Sequence, residues 1–146
     1  MNPFCWNDNH AIGLHEIDAD HRALLRMAEQ LYDEIESGTV RDGLDGLLAR
    51  LAAYAQFHFA SEEALMRRTR FPGYPQHRRE HEKFAITISC LRTMSRSECA
   101  DVAETLMEFL GSWIERHTCG EDHRMVEHIK RVEPDIHELR NASKED

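Results

Sequence analysis

Glycine and proline are scarce, seven and four of 146 residues, which excludes collagen-like and low-complexity chains. Cysteine is scarce too. Cys5, Cys90, Cys99 and Cys119 have no Cys-x-x-Cys spacing, so neither a disulfide framework nor cysteine-ligated zinc is expected, and all four are read as free thiols in a reducing compartment. Bases number 18 against 27 acids, a net charge of −9, and they lie scattered; no basic face is offered to a phosphate backbone, and nucleic acid is not expected as a partner. No apolar run reaches the ~20 residues of a membrane span, because charge interrupts each stretch, as Arg50 interrupts Leu47 to Ala55. The opening MNPFCWNDNH lacks the cationic start and apolar run of a signal peptide. These absences predict a cytoplasmic chain without membrane insertion, one domain spanning residues 1–146. At this length roughly two-thirds of the unfolded surface can be buried, so no metal is needed for folding and any metal is expected to be functional.

Sustained strand-like alternation is also missing, and helical periodicity stands in its place. Residues 1–17 carry Phe4 and Trp6 as anchors without a helical period, which predicts an extended N-terminal arm. From His21, apolar residues recur at Leu24, Leu25, Ala28, Leu31, Tyr32 and Ile35 and stop before Ser37-Gly38. A second stripe runs Leu44, Leu47, Leu48, Leu51, Tyr54, Ala55, His58, Glu62, Leu65, Met66 up to the breakers Phe71-Pro72-Gly73. A third follows Pro75 through His77, His81, Phe84, Ile88 and Leu91. A fourth, Val102, Leu106, Phe109, Leu110, Trp113 and His117, begins after Ser97 with Glu98 and Asp101 in its first turn. Cys119-Gly120-Glu121-Asp122 reads as a break, His123 to Val132 as a last short helix, and 133–146 as a polar, frayed tail. Four such stripes can be hidden only against one another. The expectation is an all-α, up-down-up-down four-helix bundle with an N-terminal extended arm and a short C-terminal helix.

Ten histidines are unusual for this length, and their registers decide what they mean. A lone histidine on an apolar stripe is most often a hydrogen-bonded core residue. Here His21, His58, Glu62, His77, His81 and His117 all continue apolar registers, and a core that polar cannot satisfy itself. An ionised carboxylate buried among imidazoles is costly unless a cation compensates it. His58 with Glu62, and His77 with His81, are i,i+4 pairs that place two ligating groups one turn apart on one helical face. Asp122 follows His117 after the predicted turn. His10, His15, His123, His128 and His137 lie in the arm, off the stripes or in the tail, and are read as surface.

Five imidazoles and two carboxylates exceed the needs of one ion, and a carboxylate can bridge, so two metal ions are expected. Two octahedral ions need about twelve bonds, and these ligands with one shared solvent oxygen supply about eleven, leaving one position open. The Glu-x-x-His pair of carboxylate-rich di-iron bundles is absent, since no histidine has Glu three residues before it.

At these residues the chain resembles the hemerythrin family in its single-domain bacterial form, from Trp6 to about Val132. The segment Ile17-Asp18-Ala19-Asp20-His21 matches the family's histidine after Ile-Asp. His58-Phe59-Ala60-Ser61-Glu62-Glu63-Ala64-Leu65-Met66 matches H-F-x-x-E-E-x-x-M. Phe71-Pro72 with His77, His81 and Phe84, and Trp113 with His117 and Asp122, match the remaining blocks. Asp20 stands where the family often has Gln, Phe71 where Tyr is usual, and Thr118 where Ile is common. None of the three is a metal ligand; by altering polarity near the site they bear on oxidation rate.

The resemblance implies a centre of two iron ions bridged by Glu62, Asp122 and a solvent-derived oxygen, with His77, His81 and His117 on the saturated iron and His21 and His58 on the open one. It implies reversible O2 binding for carriage, storage or delivery, without turnover of a substrate. An apolar shell should guard the open position, with Leu25, Phe59, Phe109 and Trp113 as candidates, three of them close to a ligand in sequence and Phe109 about two turns before His117, each also readable as ordinary core. Neutral imidazoles drive iron less strongly toward high oxidation states than carboxylates do, which favours carrying O2 over cleaving it. An O2 or redox sensor acting through a partner protein, or a di-iron peroxidase or nitric oxide scavenger, are the alternatives. With fourteen residues after Val132 no output domain is expected, which favours the carrier, expected as a monomer with an unidentified oxygen acceptor. Cys119, two residues from His117, is a candidate reporter of the redox state of the site.

Overall fold

Helix α1 (His15–Ser37) buries Ile17, His21, Leu24, Leu25, Ala28 and Leu31 along one face, the spacing expected of an amphipathic helix. The computed structural model describes residues 3–94 and 98–136. The helix starts at His15, earlier than the stripe from His21 suggests. The cause is Asp18, whose carboxylate accepts hydrogen bonds from the backbone N–H groups of Ile12 (2.8 Å) and Gly13 (3.1 Å) and so ties the incoming chain to the first turn. The arm therefore ends at Leu14. It is not simply extended: Asp8–His10 form a 3-10 turn, Ile12 and Leu14 are buried, and Phe4 and Trp6 pack on the bundle.

Gly38 ends α1 at φ 70°, a left-handed conformation that costs glycine no Cβ clash, and Thr39 donates back to the Glu34 carbonyl at 2.9 Å. Helix α2 (Val40–Arg68) follows at once and stops at Thr69. There the Phe71 N–H turns back to the Met66 carbonyl (2.9 Å) ahead of Pro72. Helix α3 (Tyr74–Met94) packs against α2, and α4 (Cys99–Trp113) closes the bundle against α1, α2 and α3. No strand occurs among the described residues, and none of their helices is long and apolar enough to cross a membrane.

The break expected at Cys119–Asp122 does not occur. The chain instead widens into a π-helical segment, Ile114–Glu121, and runs on without interruption into α5 (Asp122–Val132). Nor is the start of the tail free: Glu133 pairs with Arg68 at 2.8 Å and Ile136 is buried. His137 and the rest of the expected polar tail lie outside the described residues.

Two apolar clusters fill the interior. The larger holds Leu24, Leu25, Phe59, Phe84, Trp113 and Ile114 among others; the second holds Ile17, Leu65, Met66, Met125, Val126 and Ile129, with Tyr74 packed on it. On every helix the candidate ligands fall between a residue of one cluster and a residue of the other: His21 between Ile17 and Leu24, His58 and Glu62 between Ala55 and Leu65, His77 and His81 between Tyr74 and Phe84, His117 and Asp122 between Ile114 and Met125. The polar residues form one layer sandwiched between two apolar ones.

Candidate metal centre

His21 comes from α1, His58 and Glu62 from α2, His77 and His81 from α3, His117 from the π-helical segment, and Asp122 from the first turn of α5. In an α-helix two residues five apart sit about 140° from one another around the axis. The π-helical turn removes that offset: the Asp122 N–H donates to the carbonyl of His117, five residues earlier, and the two side chains meet with Asp122 Oδ1 3.2 Å from His117 Nε2. All seven side chains are at most 4% exposed.

The donor atoms fall into two groups, each within 4.8 Å: Glu62, His77, His81, His117 and Asp122, and His21, His58, Glu62 and Asp122. Both carboxylates belong to both groups, with their oxygens divided between them. Glu62 Oε1 faces His77 Nε2 (3.5 Å) and His81 Nε2 (3.2 Å), while Oε2 faces His58 Nε2 (2.8 Å) and His21 Nε2 (3.9 Å). Asp122 Oδ1 faces His77 Nε2 (3.0 Å) and His117 Nε2, while Oδ2 faces His21 Nε2 (3.0 Å).

These approaches are close, yet most are not hydrogen bonds. Nε2 of His21, His77, His81 and His117, both Glu62 oxygens and Asp122 Oδ1 are buried without a hydrogen-bond partner among the described residues. A folded core rarely leaves so many polar atoms unsatisfied, and converging nitrogen and oxygen donors in that state are what a metal ion requires. The residues present therefore fit a metal.

Electrostatics point the same way. Burial alone would push Glu62 up, but the imidazoles, His58 foremost, hold its carboxyl well below the usual range. Burial and Glu62 would push Asp122 up, and His117 with His21 holds it down. In return, burial would lower His58 and His77, yet the carboxylates raise them to about 10 and about 9. Without metal the cluster holds protons where cations belong.

Around the cluster lie contacts that the sequence does not announce. His58 Nδ1 is hydrogen-bonded to Asp20 Oδ2 (2.7 Å), and His81 Nδ1 to Glu63 Oε2 (2.9 Å). Neither carboxylate was singled out as functional from spacing, because each reaches a histidine on a different helix. The expected apolar shell is distributed unevenly. Phe59 stacks on His81 and Trp113 on His117 (4.0 Å between centroids, 17°), both in the five-residue group; Phe109 lies behind them against Phe84 and Trp113. Leu25 is buried in the larger apolar cluster. On the other side the ring lying along His58 is Tyr54 (4.9 Å, 15°), which the apolar stripe disguised as plain core; burial pushes its phenol well above its usual range.

The remaining histidines are not uniformly surface. His15 is exposed, but His10 is buried: its Nδ1 accepts from the Asn7 N–H (3.0 Å) and its ring packs on Trp6. His128 is partly buried and donates from Nε2 to the Thr69 carbonyl (2.7 Å), and His123 is partly buried as well. For Cys119, burial and then Asp122 and Glu115 push the thiol up, opposite to the shift of a reactive cysteine, which gives a redox-reporter role no support.

The family pattern described as the Hemerythrin HHE cation binding domain matches residues 12–129. The chain is 27% identical over 125 residues to the bacteriohemerythrin of Stenotrophomonas maltophilia, covering 86% of this chain and 80% of that one. To the bacteriohemerythrin of Clostridium acetobutylicum it is 24% identical over 128 residues, 85% of this chain and 99% of the other. To the myohemerythrin of Riftia pachyptila it is 26% identical over 121 residues, 83% and 89% of the two chains.

Proposed function

The chain belongs to the hemerythrin family, and from that premise we propose that its buried cluster holds two iron ions and binds O2 reversibly, for carriage, storage or delivery. The observation that carries this reading is the division of oxygens: Glu62 and Asp122 each aim one carboxylate oxygen at one group of imidazoles and the other at the second group. A single ion would leave one oxygen of each pair, and two or three imidazoles, unsatisfied in a dry interior.

Two ferrous ions held there would together supply the two electrons that O2 takes up on binding and gives back on release. The protein's own contribution is position and exclusion. His77, His81 and His117 outnumber His21 and His58 by one, so an ion held by the four-residue group would have fewer protein ligands and would be the one to take O2. Five neutral imidazoles keep the site from favouring high oxidation states, which suits binding over bond cleavage. Leu25, Phe59, Phe109 and Trp113, with Tyr54 added beside His58, keep bulk water from the cluster. In this reading the chain works as a single-domain monomer in the cytoplasm and gives its oxygen to an acceptor.

The test is anaerobic loading with ferrous iron, counting of iron per chain, and absorption spectra on cycling between air and argon. Two irons per chain and a colour that comes and goes with air are expected. Uptake of one iron or none would sink the proposal. Rapid, irreversible oxidation in the first exposure to air would turn the reading from carrier to sensor or peroxidase.

A further inference from the structure

Each group of ligands contains one imidazole backed by a carboxylate from another helix, and the two backings differ. Glu63, on His81, is 19% exposed. Asp20, on His58, is 47% exposed and lines a surface groove of about 560 Å³ between α1 and α2, together with Arg26, Arg50 and Tyr54. The Nδ1 atoms of His21, His77 and His117 have no such partner among the described residues.

A carboxylate that accepts the Nδ1–H of an imidazole does two things. It fixes the tautomer, so that the lone pair sits on Nε2, and it pins the ring plane while strengthening Nε2 as a donor. His58 Nε2 is the atom aimed at the cluster, 2.8 Å from Glu62 Oε2. The consequence is larger on this side than on the other. The four-residue group has only His21 and His58 as nitrogen donors, whereas the five-residue group has three imidazoles, one of them held by Glu63. Tyr54 stacked on the His58 face restrains tilt but cannot choose the tautomer.

We infer that Asp20 is a positioning residue for metal binding: by holding His58 through Nδ1 it sets the affinity of the two-imidazole side of the centre, independently of the three-imidazole side. This rests on the two-metal reading above, and the test separates the two. The whole 146-residue chain, free of metal, is titrated with cobalt(II) against a competing chelator, which needs neither iron nor oxygen. Wild type is expected to take up two cobalt ions per chain. In Asp20→Ala one of the two binding steps should weaken about tenfold to a hundredfold, the range typical of lost outer hydrogen bonds to metal ligands. The other step should hold to within about twofold. Asp20→Asn, whose amide oxygen can still accept from Nδ1–H without the charge, should fall between.

A second readout is proton NMR of the zinc-loaded protein. A downfield His58 Nδ1–H resonance should be present in wild type, retained in Asp20→Asn and lost in Asp20→Ala. If wild type binds two cobalt ions and Asp20→Ala titrates identically in both steps, the inference is wrong and the two-metal reading survives. Equal weakening of both steps together with a lowered melting temperature of the metal-free variant would likewise overturn it, since that is a general structural loss. Wild type binding fewer than two ions would overturn both.

Discussion

The Phe59 ring lies flat on the His81 imidazole, 3.9 Å between centroids and 3° between planes, while it stands nearly perpendicular to Phe84 (5.3 Å between centroids, 88°) and tilted against Trp113 (5.7 Å, 48°). One side chain thus joins the larger apolar cluster to a ligand of the polar layer. Phe59→Ala removes both roles. A loss of about 3–5 kcal/mol is expected in urea unfolding of the metal-free chain, as for other buried phenylalanines. Metal uptake should weaken as well, because His81 then keeps Glu63 but loses its stacked face. A loss below about 1 kcal/mol would show that the neighbouring rings close the gap and that Phe59 is not a structural link.

Glu62 is the one residue that every imidazole of α2 and α3 in the cluster faces. Glu62→Ala takes an oxygen from each group at once, so metal analysis is expected to find at most one ion per chain. Two ions retained after dialysis would contradict a bridging role for this carboxylate.

Stability against pH should differ between the metal-free and metal-loaded forms. In the metal-free chain His58 and His77 are raised from 6.5 to about 10 and about 9. A raised pKa means that the folded state holds the proton more tightly. The contribution is therefore fully present below about pH 6.5 and is lost as pH climbs through 9 to 10. Glu62 and Asp122 are shifted down, so their contribution is present above their ordinary values of 4.5 and 3.8 and is lost on acidification. The metal-free protein should be most stable at mildly acidic pH and lose melting temperature steadily toward pH 10. With metal replacing the protons, the alkaline loss should disappear. Parallel melting curves for both forms between pH 6 and 10 would refute this.

Much of this was legible in the sequence, for a specific reason. His58, Glu62, His77 and His81 continue apolar stripes within single helices, and spacing along one helix is something a sequence displays directly. The bundle followed from the same stripes. What stayed hidden depends on how one helix is turned toward another. Asp20 meeting His58, Glu63 meeting His81 and Tyr54 lying along His58 are contacts that periodicity does not encode. The early start of α1 was masked because its signal is the Asp18 carboxylate reaching backward to Ile12 and Gly13. Cys119-Gly120 looked like a break because glycine weakens an α-helix. In the structure that stretch tolerates a wider turn, and the wider turn brings His117 and Asp122 to the same face.

Thr118 lies in that wider turn, fully buried, and its hydroxyl has no hydrogen-bond partner among the described residues. Thr69 shows the usual arrangement: its Oγ1 donates to the Leu65 carbonyl four residues back, at 2.9 Å. A buried hydroxyl left without a partner costs about 1–3 kcal/mol, and valine fills the same volume with a methyl in its place. Thr118→Val is therefore expected to stabilise the metal-free chain by about 1 kcal/mol, read as a higher urea midpoint at unchanged slope. Thr69→Val should do the reverse, because it breaks an existing bond. Metal content per chain should be the same in Thr118→Val as in wild type, since the residue neighbours His117 without joining the cluster. Destabilisation of Thr118→Val would show that its hydroxyl is satisfied in solution, and a drop in metal content would place that hydroxyl among the groups that support the centre.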